Sequence, residues 1–518
     1  MTLLDAAALA VAAAGTACGD LRFLRVAQRE HYLAGETSNF ARRWWAGEWE
    51  NAGLFLLGLA GAAAAAFFPA AALVPGLIAI MAPRRLGLRG RTGHLSWTRR
   101  LTTVAGVTVL LEALGGLAGA LGGGLGGAVV ALGLEAMLTA VFVDGGLVAT
   151  RPFEERLARR FVEQARSRLE RVRPMVVAVT GSYGKTTVKG YIAHLIGSYK
   201  TTLPSPRSFN NRAGLARTVN EHLGPATEVL VAEMGTYGPG EIAEMCSWMR
   251  PEISVMTAIG PAHLERFKTL DNTVKAKSEI TETARVVVLN NDDERLARFG
   301  TELASQGGKK VVLASGRDPA ADVAVVPSTD GLSLFVSGEK VGLVSVGPAE
   351  RPTAPSNAAC AAAVALELGV PAPEVLTRLA SLPLPANRLQ RYRAEGGYIV
   401  YDDTFNSNPT GARLALCRLA EDPEVSSSGR RVLVTPGMVE LGPEQAQENE
   451  AFAAEAARVV DRLFVVGRTN RAALLSGAAG HVELTTVDRL DQAINWVRAN
   501  LGPGDAVLYE NDLPDHFP

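Results

Sequence analysis

The stretch 175–187, MVVAVTGSYGKTT, decides the fold of the larger part of this chain. Its first part, MVVAVT, is a continuous apolar run, which is typical of a strand buried on both faces of a parallel sheet. The glycines that follow allow the backbone to turn its N–H groups toward an anion at the start of the next helix. We therefore predict a nucleotide-binding phosphate loop formed by Gly181, Ser182, Gly184, Lys185, Thr186 and Thr187.

Two side chains of this loop have specific expected roles. Lys185 is expected to reach the terminal phosphates, and the Thr186 hydroxyl is expected to bind Mg²⁺. The loop TGSYGKTT is shorter than the usual NTPase loop, because its first glycine lies closer to the Gly-Lys pair. A strand pattern, the loop and a helical pattern nevertheless follow one another in the required order.

The charge balance and the cysteines narrow the class of protein. The 518 residues include 52 Lys and Arg and 53 Asp and Glu, so the net charge of -1 lacks the basic surplus of a nucleic-acid-binding protein. We therefore expect no nucleic acid partner. The four cysteines lie far apart without a CxxC pair, at Cys18, Cys246, Cys360 and Cys417. This spacing argues against a zinc site or a disulfide framework and fits a reduced, cytosolic catalytic part.

Residues 1–151 are predicted to form a membrane region of about five transmembrane helices. Three apolar runs occur there, over residues 3–18, 53–82 and 101–149. The last two are long enough for two helices each, since one span needs about 20 apolar residues. Basic segments, 20–50 and 84–100, separate the runs and are expected to stay in the cytoplasm.

From this pattern we expect a multi-pass protein of the cell membrane, in contact with membrane lipid, whose catalytic domains are cytoplasmic. A cleavable signal peptide over residues 1–18 is the alternative interpretation of the first run. That run lacks the basic residues with which a signal peptide begins, and further apolar runs follow it.

The loop TGSYGKTT resembles the ATP loop of the Mur ligases of bacterial cell-wall synthesis. Other segments resemble that family's motifs in the same order, most closely those of its D-alanyl-D-alanine-adding member. They are SFNNRAG (208–214), VLVAEMGTYGPGEI (229–242), PAHLERF (261–267), KAKSEI (275–280), VVVLNNDD (286–293), ASLPLPANRLQRY (380–392), YIVYDDTFNSNP (398–409) and PGMVELG (436–442). The resemblance implies an α/β fold behind the helical region: a P-loop central ATP-binding domain over 152–385 and a C-terminal Rossmann-like domain over 386–518.

The resemblance also implies the reaction and the roles of individual residues. An ATP-dependent ligase of this family forms an acyl phosphate from a substrate carboxylate, and an amine then displaces phosphate to give the amide. By this resemblance, Glu233 and Thr186 bind a first Mg²⁺, and His263 binds a second, with a carbamylated Lys277 beside it. Asn290 contacts the adenine, and Arg388 and Asp403 lie over ATP. Asn406 and Asn408 lie on the substrate side.

Simpler interpretations of these residues stay open at the level of sequence. Asn290 begins the run Asn-Asn-Asp-Asp, a composition typical of a turn at a strand end. Lys277 belongs to a lysine-rich helix, which usually faces solvent. His263 could be structural, and Asn357 could cap or line a helix. Asn387 stands where the family usually has a glycine before Arg388, which puts the local turn in doubt.

The predicted substrates rest on the resemblance to the D-alanyl-D-alanine-adding member. No segment before residue 174 resembles the family's uridine-nucleotide-binding domain. We predict the addition of an amino acid or dipeptide, D-alanyl-D-alanine being favoured, to a nucleotide-linked or lipid-linked muramyl-peptide precursor of peptidoglycan. The alternatives are a membrane-bound polyglutamate-type synthase and an ATP-binding membrane protein without ligase activity. The presence of Lys185, Glu233, His263 and Lys277 favours a working ligase, and the oligomeric state stays open.

Overall fold

A computed structural model describes residues 3–88, 95–261, 264–347, 351–352, 354–383, 389–404, 407–513 and 517, and only the backbone of residue 265. His263, Arg388 and Asn406 lie outside the described residues, so their roles stay predictions. The chain forms two compact units, one of residues 1–158 with 513–518 and the other of residues 159–512. The predicted domain boundary at 151/152 falls inside a helix, and the domain bounds stay predictions.

The first unit is helical. Its helices are α1 (Leu3–Arg29), α2 (Glu36–Ala46), α3 (Trp49–Ala64), a short 3-10 helix (Pro69–Ala72), α4 (Leu73–Met81) and α5 (Arg99–Val172), which continues into the second unit. The backbone angles of Gly123 and Gly124 are not helical, so α5 is interrupted there.

Part of the basic segment 20–50 is not the exposed loop that the sequence predicted. Helix α1 continues through this segment to Arg29, and the Arg22 side chain lies inside the helical unit, with only 3% of the residue exposed. The Arg22 guanidinium donates hydrogen bonds to three carbonyl oxygens, those of Ala79 (2.9 Å), Ile80 (3.1 Å) and Leu86 (2.9 Å). Burial is tolerated because the donors of the cation find acceptors.

The predicted multi-pass membrane localisation is wrong. Five spans were expected, whereas among the described residues only α1 and α5 are long and apolar enough to cross a membrane. The shorter apolar stretch Pro69–Met81 does not meet the length of about 20 residues that a span requires. Two such helices are weak evidence for a membrane protein, because the buried helices of a soluble protein and an N-terminal signal sequence share their length and composition.

The second unit contains a nine-stranded sheet, here called the central sheet. Its strands are β1 (Met175–Thr180), β2 (Thr202–Pro204), β3 (Val229–Glu233), β4 (Ile253–Met256), β5 (Val286–Asn290), β6 (Lys310–Ser315), β7 (Val323–Ser328), β8 (Gly331–Val336) and β9 (Glu339–Val344). They lie in the order β2-β3-β1-β4-β5-β6-β7-β8-β9. Pairing is parallel from β2 to β7 and antiparallel from β7 to β9.

Both faces of the central sheet are buried, as the continuous apolar run of β1 predicts. Val177 and Val179 join the core on one face, whereas Val176 and Ala178 join the core on the other. The flanking helices are α6 (Lys185–Ile196), α7 (Arg212–His222), α8 (Glu241–Met249), α9 (Leu264–Phe267), α10 (Leu270–Ser278), α11 (Glu294–Gln306), α12 (Pro355–Glu367) and α13 (Ala372–Leu379). This is the α/β arrangement that the resemblance described above implies.

A second sheet of six strands, here called the C-terminal sheet, completes this unit. Its strands are β10 (Gln390–Arg393), β11 (Ile399–Asp403), β12 (Arg431–Thr435), β13 (Arg462–Val466), β14 (Glu483–Val487) and β15 (Ala506–Glu510). Its helices are α14 (Pro409–Ala420), α15 (Gln445–Ala456), α16 (Arg471–Ala478) and α17 (Leu490–Asn500). The strand order is β10-β11-β15-β12-β13-β14, parallel except for the antiparallel edge strand β10.

Candidate active site

The predicted phosphate loop follows β1 at the carboxyl edge of the central sheet, where ligands of open parallel sheets bind. Gly181 and Gly184 have positive φ angles of 153° and 80°, which glycine adopts without steric cost. A Cβ atom on Gly184 would lie 2.6 Å from Oδ1 of Asn357, so the Asn357 side chain would have to shift to accommodate it. The Lys185 ammonium donates to the carbonyl oxygens of Gly181 (2.7 Å) and Ser182 (3.2 Å), so it lies over the loop.

The segment after β4 supports this loop. Ser182 Oγ accepts a hydrogen bond from the Gly260 N–H (3.0 Å) and donates to the Gly260 carbonyl (3.1 Å). The Thr257 hydroxyl is in hydrogen-bonding contact with the carbonyl oxygens of Tyr183 and Thr180. These contacts support the loop geometry, and Ser182 contributes to this support.

Glu233, the last residue of β3, lies beside the start of α6. Its Oε2 accepts hydrogen bonds from the Thr186 hydroxyl and the Lys189 ammonium, both at 2.9 Å, and its Oε1 accepts from the Asn210 amide at 3.2 Å. Burial by itself raises the pKa of Glu233, but the charges of Lys189 and Lys185 and the hydrogen bonds from Lys189 and Thr186 together lower it below its ordinary value. The Glu233 carboxylate is therefore ionised and paired with the Lys189 ammonium.

Lys277, on α10, is only 3% exposed, in contrast to the solvated lysine that its lysine-rich helix would suggest. Its ammonium lies 6.0 Å from the centre of the Phe267 ring. Burial, and next the positive charge of Lys185, lower the pKa of Lys277 well below its usual value. Burial is thus the main cause of this lowered pKa, and the charge of Lys185 adds to it.

A cavity of about 720 Å³ extends from the phosphate loop to the C-terminal sheet. Residues predicted to bind nucleotide line it, namely Gly184, Thr187, Asn290 and Asp403. The Asn290 side-chain amide donates a hydrogen bond to the Thr257 carbonyl (2.8 Å), and its oxygen accepts one from the Asp292 N–H (3.0 Å). The bond from Asp292 belongs to a turn at the strand end, which was the alternative interpretation of Asn290. Asn290 thus lies at the cavity while both of its polar atoms bind backbone.

The C-terminal sheet brings further residues to this cavity. Asp403 ends β11, and its Oδ1 accepts a hydrogen bond of 2.9 Å from the N–H of Leu389. Leu389 is the residue that follows Arg388 in the chain. Asn408 caps α14 by accepting from the Gly411 N–H (2.9 Å) and also lines the cavity. The structure thus gathers Asp403 and Asn408 with the phosphate loop at one cavity.

Two residues of the cluster at Glu233 were missed by the sequence prediction. Lys189 lies one helical turn after Lys185, so both side chains lie on one face of α6. This spacing was the signal from which the sequence could have placed Lys189 near the loop. Asn210 lies within SFNNRAG, a motif that was recognised without a role for this side chain. Neither signal identifies Glu233 as the partner, because the contact depends on how α6, β3 and the 205–211 loop pack.

Comparison with known proteins identifies both parts of the second unit. The profile of the Mur ligase middle domain matches residues 179–365, and that of the Mur ligase glutamate ligase domain matches residues 387–509. The UDP-N-acetylmuramoyl-tripeptide–D-alanyl-D-alanine ligase of Mycobacterium tuberculosis is 32% identical over 362 residues, which cover 64% of this chain and 69% of that protein. This chain belongs to the Mur ligase family.

Other similar proteins support the same family assignment. The ligase of the same name from Escherichia coli is 29% identical over 353 residues, or 65% of this chain and 75% of that protein. The crystal structure of the MurF ligase of Thermotoga maritima in complex with ADP has a TM-score of 0.59 at 23% identity, covering 68% of this chain and 80% of that one. The predicted α/β fold and the predicted class, an ATP-dependent ligase that forms carbon–nitrogen bonds, are confirmed.

Proposed function

We propose that this Mur ligase joins D-alanyl-D-alanine to a muramyl-tripeptide precursor of peptidoglycan. The substrate carboxylate attacks the γ-phosphorus of ATP and ADP leaves. The amine then attacks the acyl carbon, loses a proton and displaces phosphate. The observation that carries the proposal is the contact of Glu233 with Thr186 of the phosphate loop. Phosphoryl transfer needs charge neutralisation and positioning more than it needs an internal nucleophile. The names of the relatives from M. tuberculosis and E. coli support the choice of substrates.

The start of α6 and the Lys185 ammonium are proposed to hold the phosphates. Lys185 donates to the carbonyl oxygens of Gly181 and Ser182, and a phosphate offers it a charged acceptor instead. A phosphate oxygen carries negative charge, so it attracts the ammonium more strongly than a neutral carbonyl oxygen does, which favours the exchange. The N–H groups of the first helical turn add their partial positive charge.

Glu233 and Thr186 fit a magnesium site. Mg²⁺ takes oxygen ligands, commonly one or two carboxylates together with substrate phosphates, and these two side chains place a carboxylate and a hydroxyl oxygen 2.9 Å apart. Bound there, Mg²⁺ would neutralise negative charge on the β- and γ-phosphates. The Asn210 amide keeps the second carboxylate oxygen of Glu233 oriented.

Lys277 is proposed to carry a carbamate, with His263 as a ligand of a second Mg²⁺. Carbamylation joins the neutral amine to carbon dioxide through a new N–C bond, and the nitrogen loses a proton. The lowered pKa of Lys277 supports this step, since only the neutral amine reacts. The product carries a negative charge, which attracts the Lys185 ammonium, whereas a protonated Lys277 would be repelled by it.

The C-terminal sheet is proposed to cover ATP with Arg388 and Asp403. The Leu264 N–H donates a hydrogen bond of 3.0 Å to the Glu440 carbonyl, which joins the segment beside His263 to the 436–442 loop. Such closure excludes water, which would otherwise hydrolyse the acyl phosphate. Asn408 is proposed to lie on the substrate side of the same cavity.

We also propose that the precursor is linked to a nucleotide, since the names of both relatives specify a UDP-linked substrate. The test measures ADP release and amide formation by the purified full-length protein, with UDP-N-acetylmuramoyl-tripeptide and D-alanyl-D-alanine added singly and together. We expect ADP and a new amide only with both. Turnover with glutamate in place of the dipeptide would identify a polyglutamate-type activity instead, and no turnover with either amine would overturn the proposed substrates.

A further inference from the structure

Lys189 and Glu233 form a buried ion pair next to the proposed magnesium site. The Lys189 ammonium lies 2.9 Å from Oε2 of Glu233, and their side chains are only 6% and 2% exposed. The pair joins the second turn of α6 to the carboxyl end of β3. Because it is shielded from solvent, its charges act on each other and on any ion bound nearby with little screening.

The surroundings of Lys189 hold this ammonium in a fixed position. It also donates a hydrogen bond of 2.5 Å to the carbonyl oxygen of Arg207, whose φ angle of 47° lies in the left-handed region. Lys189 therefore connects Glu233 to the loop that contains Asn210, which binds the other carboxylate oxygen. Both oxygens of Glu233 thus accept hydrogen bonds from side chains of this chain.

We propose that Lys189 is a positioning residue that serves as a resident counter-charge for Glu233, so that the site binds Mg²⁺ tightly only together with a nucleotide. This inference rests on the proposed magnesium site at Glu233. Without nucleotide, a divalent ion at Glu233 meets the fixed positive charges of Lys189 and Lys185. The phosphates of ATP or ADP supply the negative charge that offsets this repulsion.

The consequence for the reaction is a defined order of metal binding. A buried carboxylate without a counter-charge would attract divalent ions from solution at all times and would be destabilising when empty. With Lys189 in place, Glu233 stays ionised and oriented when empty. Mg²⁺ then enters with ATP and leaves with ADP, which keeps the site ready for the next nucleotide.

The test titrates Mn²⁺, followed by electron paramagnetic resonance, into the full-length protein with and without ADP. We compare wild type with Lys189→Met and Lys189→Arg. Without nucleotide, Lys189→Met should bind Mn²⁺ about tenfold more tightly than wild type or better, because a unit charge beside the site is removed. Lys189→Arg keeps the charge and should behave as wild type. With ADP, the difference between wild type and Lys189→Met should shrink.

A matched control is Lys310→Met, which breaks an exposed lysine–glutamate pair with Glu367 elsewhere in the same unit and should leave Mn²⁺ binding unchanged. Mn²⁺ binding by Lys189→Met that is no tighter than wild type would overturn the role of Lys189. Glu233→Gln separates this failure from that of the proposed site: if it does not weaken Mn²⁺ binding with ADP, the metal site itself is wrong and the inference falls with it.

A second measurement needs no variant and applies even if Lys189→Met does not fold. The melting temperature of the wild-type protein is measured with Mg²⁺ alone, ADP alone and both. Ligands that bind the native state raise the melting temperature. We expect a rise with Mg²⁺ and ADP together beyond that with ADP, and none with Mg²⁺ alone. An equal rise with Mg²⁺ alone would contradict the proposal.

Discussion

The hydroxyl of Thr186 donates a hydrogen bond of 2.9 Å to Oε2 of Glu233, and this bond joins the first turn of α6 to the end of β3. These residues lie 47 positions apart in the chain. The parallel order β3-β1-β4 brings the carboxyl ends of neighbouring strands to one edge of the sheet, and the phosphate loop follows the middle strand. The contact therefore follows directly from the sheet topology.

Replacement of Thr186 by valine should specifically weaken the binding of Mg²⁺. Valine keeps the shape of the side chain but removes the hydroxyl that binds Glu233 and is proposed to bind Mg²⁺. We expect the Mg²⁺ concentration for half-maximal activity to rise about 10- to 100-fold, with a much smaller change in ADP binding without metal. Thr186→Ser keeps the hydroxyl and is the control. An unchanged Mg²⁺ requirement in Thr186→Val would exclude Thr186 as a ligand.

Two glycines near the phosphate loop should respond in opposite ways to alanine. Gly184 has a φ of 80°, and a Cβ there would lie 2.6 Å from Asn357 Oδ1. We expect Gly184→Ala to lower the free energy of unfolding by about 1–2 kcal/mol and to weaken ADP binding. Gly190, inside α6, has no atom within 4 Å of a Cβ position, so Gly190→Ala should stabilise by about 0.5–1 kcal/mol. Denaturant titration and ADP titration of both variants check this, and equal effects would contradict it.

The sequence predicts the phosphate loop well because its information is local. The strand, the glycines, Lys185 and Thr186 all lie within residues 175–187, so the pattern itself contains the geometry. The pair of Lys189 and Glu233 could not be predicted in this way. The two residues are 44 positions apart, and their contact depends on the packing of α6 against β3.

The helical first unit shows why hydropathy failed as a guide to localisation. Apolar residues that pack helices together and those that would face lipid have the same composition, so the number of spans was overestimated. Arg22 illustrates the second cause of error. It was assigned to a cytoplasmic loop because it is charged, but it lies buried and donates to backbone carbonyl groups, including that of Leu86.

Lys277 should be required for activity, and a small carboxylic acid should partly restore the activity of a variant that lacks this side chain. Lys277→Ala removes the proposed carbamate, and we expect a large loss of amide formation that added acetate or formate partly restores, because a free carboxylate can occupy the vacated space. Labelled bicarbonate should also give a carbamate signal in the ¹³C NMR spectrum of the wild type. Lys275→Ala, on the exposed face of α10, is the control. Full activity of Lys277→Ala would exclude the carbamate.

The wall of the cavity contains an ion pair whose loss should be costly. Arg391 binds both oxygens of Asp422, at 2.8 and 3.2 Å, and the Asp422 side chain is fully buried. Arg391→Met should therefore lower the free energy of unfolding by about 3 kcal/mol, since it leaves a buried carboxylate without its cation. Arg393 makes an exposed pair with Glu424, and Arg393→Met should cost less than about 1 kcal/mol. Denaturant titration distinguishes them, and similar costs would refute the argument from burial.

Glu510, the last residue of β15, should make the protein less stable as the pH rises. Its carboxyl group is buried and contacts the hydroxyl groups of Ser407 and Thr435. Burial raises its pKa to about 8, with a hydrogen bond from Thr435 opposing and the charge of Asp403 adding to the rise. The folded protein therefore retains a proton that the unfolded chain releases above about pH 4.3. Since the folded state binds more protons in this window, the contribution of Glu510 to stability falls as the pH rises from the unfolded pKa to about 8.

The variant Glu510→Gln isolates this effect. Glutamine remains neutral throughout and offers one oxygen acceptor and one amide donor to the two hydroxyl groups. We expect the free energy of unfolding of Glu510→Gln, relative to wild type, to increase steadily from pH 5 to about pH 8 and then to level off. The measurement is denaturant titration of both proteins across that range. A difference that does not change with pH would mean that Glu510 has the same pKa in the folded and unfolded states, and its burial would then have to be offset by partners beyond Ser407 and Thr435.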